Sequence, residues 1–163
     1  MEPGDALIAA IEASIALAGF SGLVVVLGRR SQGEWLPQEE LRLLNLLGAS
    51  FQAFLISFLA VLLLSTNLPP SATWVSCSVV WSLATASHTG WVFARRRQLG
   101  DADLAKTNPV MFWSIGGLVL VVILLQIANI ASIREFWPVL AGIIMNLALG
   151  ARQFTHLLLS GWR

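Results

Sequence analysis

Long apolar segments separated by short polar ones make up most of this 163-residue chain. A helix that crosses the hydrocarbon core of a bilayer needs about 20 consecutive, mostly apolar residues. Five segments reach that length, and they predict spans at about 6–28, 43–65, 73–94, 109–133 and 137–160. The second helix is expected to begin earlier, at Pro37, because Glu39 and Glu40 suit the positive end of a helix dipole. The pattern predicts an all-α, polytopic integral membrane bundle, with residues 1–163 forming a single membrane domain.

Composition supports a membrane class and argues against several others. The chain is 56% hydrophobic and 12% charged, whereas soluble domains carry about 25% charged residues. A net charge of +1 does not favour a nucleic-acid partner, which requires a concentrated basic surface. The single cysteine, Cys77, excludes an intramolecular disulfide and a cysteine-built metal site. No phosphate-binding loop, zinc-protease motif or nucleophile–base pair is recognisable, so we do not expect an enzyme.

The distribution of basic residues predicts an orientation. Segments 29–42 and 95–108 contain seven of the ten basic residues, whereas segments 66–72 and 134–136 contain only Arg134. Lysine and arginine concentrate in cytoplasmic loops, so we expect the N-terminus outside and the C-terminus in the cytoplasm. Nine of the ten are arginine, as in GC-rich genomes, and we place the protein in a bacterial inner membrane.

Small residues recur at every fourth position of the first helix, at Ala6, Ala10, Ser14, Ala18 and Gly22. A shorter row, which comprises Gly142, Asn146 and Gly150, follows on the fifth helix. Rows of small residues let helix backbones approach closely, which is a main source of helix association in lipid. We interpret these positions as helix-packing sites, and the first row as a contact of a homo-oligomer or a larger membrane complex. The alternative is packing within one chain.

Glu12 is the most informative single residue. It lies about two turns inside the first span and points away from Ala10 and Ser14. An acid within a span costs several kcal/mol unless it faces protein or water, so it is a functional candidate. The alternative is a protonated or hydrogen-bonded structural acid near the interface.

Polar residues on other helices extend this candidate site. Gln126, Asn129 and Asn146 are expected at a depth similar to that of Glu12, and a second polar group lies nearer the cytoplasm. The complete candidate pathway for an ion or a proton comprises Glu12, Asn45, Gln52, His88, Gln126, Asn129 and Asn146. The competing explanation for single hydroxyls on these helices is a hydrogen bond to their own backbone.

Two histidines and one arginine cluster permit further hypotheses. His88 and His156 are expected at one depth on different helices, where they would suit the axial positions of haem b or a proton relay. Structural, hydrogen-bonded histidines are the alternative. Arg95, Arg96 and Arg97 are candidates for contact with anionic lipid headgroups, or serve only as a topology anchor.

The sequence favours an oligomeric channel or a subunit of an ion or proton pathway. A haem-binding redox subunit that uses His88 and His156 is the first alternative. A non-catalytic accessory or scaffold subunit of a membrane complex is the second. Membrane lipid and further copies of the chain are the expected partners. We expect no metal ion, and no cofactor unless the haem hypothesis holds.

Overall fold

A computed structural model describes residues 2–27, 37–98 and 109–160 of the chain. Within those ranges the chain forms five helices and no strand. They are α1 (Pro3–Leu27), α2 (Pro37–Leu64), α3 (Pro70–Arg96), α4 (Pro109–Ala128) and α5 (Phe136–Ser160), and α4 continues into a π-helical turn, Asn129–Ile133. The all-helical prediction is confirmed for this part of the chain.

Proline marks the start of the first four helices. Their first residues are Pro3, Pro37, Pro70 and Pro109. The proline ring fixes φ near the helical value, and the first helical residue needs no N–H partner. On α2 the acids Glu39 and Glu40 follow within the first turn, where the helix dipole favours negative charge.

A tight hairpin joins α4 to α5. The N–H of Arg134 donates to the Asn129 carbonyl over 3.0 Å, which closes the π-helical turn. Arg134 itself adopts a left-handed conformation, with φ of 56°, which reverses the chain direction within two residues. The position of α5 therefore depends on how this turn is held.

Three of the helices are long and apolar enough to cross a membrane. The qualifying segments are Pro3–Leu23, Glu39–Leu64 and Phe112–Ile133. The prediction of five spans is thus only partly supported, because α3 and α5 did not qualify among the described residues. Both carry more polar side chains, such as Ser78 and Thr85 on α3 or Asn146 and Gln153 on α5.

Apolar side chains dominate the outward faces of the helices. Ile15, Leu83 and Leu124 are 58%, 66% and 56% exposed, and many other large apolar residues are similar. A monomeric soluble protein rarely exposes contiguous apolar surface on this scale. Such a surface is compatible with a membrane location.

The chain divides into two compact units. Unit 1 comprises Met1–Phe58 and Ile143–Arg163, and unit 2 comprises Leu59–Gly142. In unit 1, α5 runs parallel to α1, since Gly150 lies near Leu17 and Phe154 near Phe20. Its contact with α2 is close, because a Cβ built on Gly150 would lie 3.2 Å from Ser50 Oγ.

Unit 2 is centred on α3. Its buried side chains include Trp74, Cys77, Ser78 and Trp81, which follow the three- and four-residue spacing of one helix face. The ring centroids of Trp74 and Phe136 lie 5.0 Å apart, so the first turn of α5 packs beside the start of α3.

Candidate functional site

Gln126 connects three helices in the core of unit 2. Its side chain is fully buried. Its Oε1 accepts a hydrogen bond from the Ser78 hydroxyl over 2.8 Å, and its Nε2 donates to the Pro138 carbonyl over 2.6 Å. A buried amide that lacked these partners would destabilise the fold by several kcal/mol in total. Gln126 therefore links α4 to both α3 and α5 through hydrogen bonds.

Asn129, about one turn after Gln126, also forms hydrogen bonds to α3 and to the start of the next helix. Its Nδ2 donates to Ser78 Oγ over 2.8 Å and to the Glu135 carbonyl over 3.1 Å. Its Oδ1 accepts from the backbone N–H of Glu135 over 2.9 Å. The Asn129 side chain thus forms hydrogen bonds with both backbone polar groups of Glu135, which follows the left-handed Arg134. Gln126 and Asn129 were expected beside Glu12, but their partners in the structure are Ser78, Pro138 and Glu135.

Gly142 lets α5 approach α3 next to this network. A Cβ at Gly142 would lie 2.8 Å from both Cε2 and Nε1 of Trp81, and 3.1 Å from Nε2 of Gln126. Trp81 is fully buried. Only a glycine fits against the indole here, so Gly142 is a packing position within the chain.

Glu12 lies on the outward face of α1. Its side chain is exposed, as are those of Ile8 and Ile15, whereas Ala10 and Ser14 are buried. At 1.5 Å per residue, Glu12 is about 13 Å from the start of the helix, well inside the apolar segment Pro3–Leu23. A carboxylate therefore occupies an apolar outer surface of the protein.

The row of small residues on α1 is divided between two environments. Ala6, Ala10 and Ser14 face the interior of unit 1, and the Ser14 hydroxyl donates to the Ala10 carbonyl over 2.6 Å. Ala18 is half-buried and Gly22 is exposed, with open space where a Cβ would lie. The first part of the row therefore packs within the chain, and Gly22 is available to another helix.

Unit 1 contains buried polar atoms that make no hydrogen bond. They include the hydroxyls of Ser50 and Ser57 and the side-chain nitrogen of Asn146, and each of these residues is at most 3% exposed. Unit 2 also contains such atoms, among them the hydroxyls of Thr73 and Ser82.

Asn146 was expected at the depth of Glu12. Gly150 on α5 approaches Leu17 on α1. Asn146 lies one turn before Gly150, and Glu12 lies just over one turn before Leu17. Because α5 and α1 are parallel, Asn146 and Glu12 lie at similar heights along the two helices. Asn146 nevertheless faces inward while Glu12 faces outward.

Sequence reasoning missed Ser50 and Ser57. Their spacing of seven residues places them on one face of α2, which was the available signal. Asn45 and Gln52, the residues chosen on α2, are half-buried and buried respectively, and each takes part in an interaction.

A cluster of positive side chains lies at one end of unit 1. The charge of Arg42 on α2 acts on Arg152 of α5. His156 lies one turn after Arg152 and senses both arginines. The Nε of Arg152 is buried and makes no hydrogen bond.

The other basic and histidine candidates belong to unit 2. Arg96 stacks over the Phe112 ring at 3.5 Å and Arg95 lies 5.9 Å from the Trp91 ring, whereas Arg97 is exposed. The His88 ring lies 5.9 Å from that of Trp91. His156 belongs to unit 1, so the haem pairing stays a hypothesis. Among the described residues, no group of three or more histidine, cysteine or acidic side chains is arranged to hold a metal ion.

These observations define a class: a helical protein with at least three apolar helices long enough to cross a membrane. No protein-family model, curated protein or solved structure matches the chain.

Proposed function

We propose that the protein is a subunit of an oligomeric membrane assembly and that it carries an ion or proton pathway. The observation that carries this proposal is the position of Glu12. A carboxyl group that faced lipid at this depth would cost several kcal/mol. A second copy of the chain, or water held between copies, removes that cost.

Neighbouring small residues support an assembly through the Glu12 face. Ala9, Ala16 and Gly19 are exposed and lie near Glu12 at helical spacing, and a Cβ on Gly19 would meet nothing within 4 Å. Small residues on an outward face let a second helix approach closely. Two helices that meet here would bring two Glu12 side chains together, away from lipid.

Buried polar groups in unit 1 support a pathway. The unpaired polar atoms of Ser50, Ser57 and Asn146 would each cost about 1–3 kcal/mol if they stayed dry. Water molecules at these groups would offset that cost, and a cation could be held only by the two serine oxygens. Asn146 lies at the depth of Glu12, and Ser50 lies closer than Asn146 to the end of unit 1 that carries Arg42. The polar groups are therefore distributed along the length of the helices.

We also propose that all five helices cross a bacterial inner membrane, with the N-terminus outside. The 27 residues of α3 and 25 of α5 exceed the length that a span needs. Much of their polarity faces inward, since Thr73, Ser78 and Thr85 on α3 are buried. Their polar composition is therefore compatible with a lipid-facing outer surface.

The decisive experiment compares ion and proton flux into liposomes that contain wild-type protein or a Glu12→Gln variant. Glutamine keeps the shape and most hydrogen bonds of the side chain but removes its charge and its titratable proton. We expect Glu12→Gln to reduce flux at least tenfold, while fold and oligomeric mass in mild detergent stay unchanged.

Glu40→Gln is the matched control, because Glu40 is an exposed acid in the first turn of α2. It should conduct like the wild type. Equal flux for wild-type and Glu12→Gln liposomes would show that Glu12 is structural. A protein that is monomeric and conducts nothing would favour the accessory-subunit alternative.

A further inference from the structure

We propose that the end of α3 and the start of α4 form a binding site for the headgroup of an anionic phospholipid, with Arg96 as the residue that binds the phosphate. This inference does not depend on the proposed ion or proton pathway. It narrows the hypothesis about the Arg95–Arg97 cluster to one side chain, because the three arginines have different surroundings in the structure.

Arg96 is packed onto an aromatic ring of the neighbouring helix. Its guanidinium carbon lies 3.5 Å from the centroid of the Phe112 ring, well within the range of a cation–π contact. The Phe112 ring also packs edge-on against Phe93 of α3, with centroids 5.3 Å apart, and against Trp113, with centroids 5.6 Å apart. Phe93 precedes Arg96 by three residues, so both lie on the face of α3 that meets α4. The ring cluster therefore restricts where the guanidinium can lie.

This contact leaves donors of Arg96 for an anion. Its Nη1 is buried and has no hydrogen-bond partner among the residues that the structure describes, although the side chain as a whole is only half-buried. A partly desolvated cation without a partner is costly, and an anion beside it offsets that cost. The Phe112 ring covers one face of the guanidinium and leaves its edge, where the N–H groups point. A phosphate suits that edge because the planar fork can donate two parallel hydrogen bonds to it.

The start of the apolar part of α4 indicates that the phosphate belongs to a lipid. The segment of α4 that is long and apolar enough to cross a membrane is Phe112–Ile133. Trp113, its second residue, is 65% exposed, and tryptophan is enriched where a span enters the headgroup region. Because Arg96 packs against the first residue of this segment, its charge lies at the level of the phospholipid phosphates. Positive charge at that level complements an anionic headgroup.

Arg95 and Arg97 have weaker contacts than Arg96. Both are exposed, and the guanidinium carbon of Arg95 lies 5.9 Å from the Trp91 ring centroid, near the outer limit of a cation–π contact. Exposed charges attract any anionic surface, and salt screens that attraction. We therefore expect Arg96 to determine the retention of a single lipid molecule, with a smaller contribution from the other two arginines.

The test measures lipid retained by the full-length protein in mild detergent, using native mass spectrometry. The protein is mixed with phosphatidylglycerol or with phosphatidylcholine of the same acyl chains, so that only the headgroup differs. We expect phosphatidylglycerol to be retained about tenfold more tightly, and Arg96→Gln to remove most of that preference. Phe112→Leu keeps the arginine but removes the ring, so it should weaken retention of phosphatidylglycerol about threefold. It also tests the site if Arg96→Gln fails to fold.

Arg134→Gln and Arg97→Gln are the matched controls. Arg134 is an exposed arginine beyond the other end of α4, and its variant should keep the wild-type preference. Arg97→Gln removes the same charge one residue from Arg96, and it should weaken retention by less than about twofold. Equal retention of the two lipids would overturn the proposal. Equal losses for Arg96→Gln and Arg97→Gln would do the same, because net charge rather than a defined site would then explain the binding. Inorganic phosphate that displaces phosphatidylglycerol at equal concentration would assign Arg96 to a soluble phosphate compound instead.

Discussion

Gly142 offers the sharpest test of the packing in unit 2. In a Gly142→Ala variant the new methyl group would lie 2.8 Å from Cε2 and Nε1 of Trp81. Carbon atoms in favourable contact are separated by about 3.5–4.0 Å. The indole or the helix backbone must therefore move by about 0.7 Å or more. Trp81 is fully buried, so little free space is available for that movement.

Two opposing effects determine how much Gly142→Ala changes the free energy of unfolding. Overpacking of a dense core typically costs about 1–3 kcal/mol. Replacing glycine by alanine inside a helix returns about 0.5–1 kcal/mol. We therefore expect Gly142→Ala to lower the free energy of unfolding by up to about 2.5 kcal/mol. The matched control is Gly117→Ala on α4, where nothing lies within 4 Å of the new Cβ, and it should be neutral or slightly stabilising.

The assay is unfolding in mild detergent, monitored by far-ultraviolet circular dichroism. The difference between the two variants isolates the steric cost, which should be about 1–3 kcal/mol. A Trp81→Phe background removes the indole atoms that the methyl group meets, so the penalty of Gly142→Ala should fall by more than half. A Gly142→Ala protein as stable as Gly117→Ala, or a penalty unchanged in the Trp81→Phe background, would refute the close approach of α5 to α3.

Two further predictions concern the α4–α5 hairpin and the orientation. Asn129→Ala removes hydrogen bonds to Ser78 and to both backbone groups of Glu135, so it should lower the free energy of unfolding by about 2–4 kcal/mol in the same assay. The exposed Asn67 provides the control, Asn67→Ala, which should change stability by less than about 0.5 kcal/mol; equal effects would contradict the role of Asn129. A topology reporter fused after residue 163 should be active only in the cytoplasm, because basic residues concentrate in the segments assigned there, and activity on the outer side would contradict both the orientation and the five spans.

The hydrophobic pattern predicted the helices well because it reports segment length directly. The described helices begin within a few residues of the predicted spans, except α2, whose start at Pro37 was expected from the proline and the two acids after it. The number of spans was harder to predict. Buried polar residues such as Ser78 and Asn146 lower the mean hydropathy of α3 and α5, and three of the described helices meet the length and hydropathy of a span. Segments 28–36 and 99–108, which carry three of the seven basic residues behind the predicted orientation, lie outside the described residues.

Contacts between helices were the part that the sequence did not predict. Helical spacing correctly placed Glu12 opposite Ala10 and Ser14, but it did not show which of the two faces is buried. Gln126 and Asn129 were assigned to Glu12 because of expected depth alone. Their actual partners include a hydroxyl on α3 and the backbone of a hairpin whose π-helical turn has no clear sequence signature.

The contrast between paired and unpaired buried polar groups indicates where water or an ion should be sought. In unit 2, Gln126 and Asn129 use both their donors and their acceptors within the protein. A satisfied amide gains little from binding water or an ion, and its rigidity specifies the fold. The Ser50 hydroxyl and the Asn146 side-chain nitrogen in unit 1, and the Thr73 hydroxyl in unit 2, are also deeply buried but have no such partners. Because dry, unpaired donors are costly, water has most to gain at these unpaired groups.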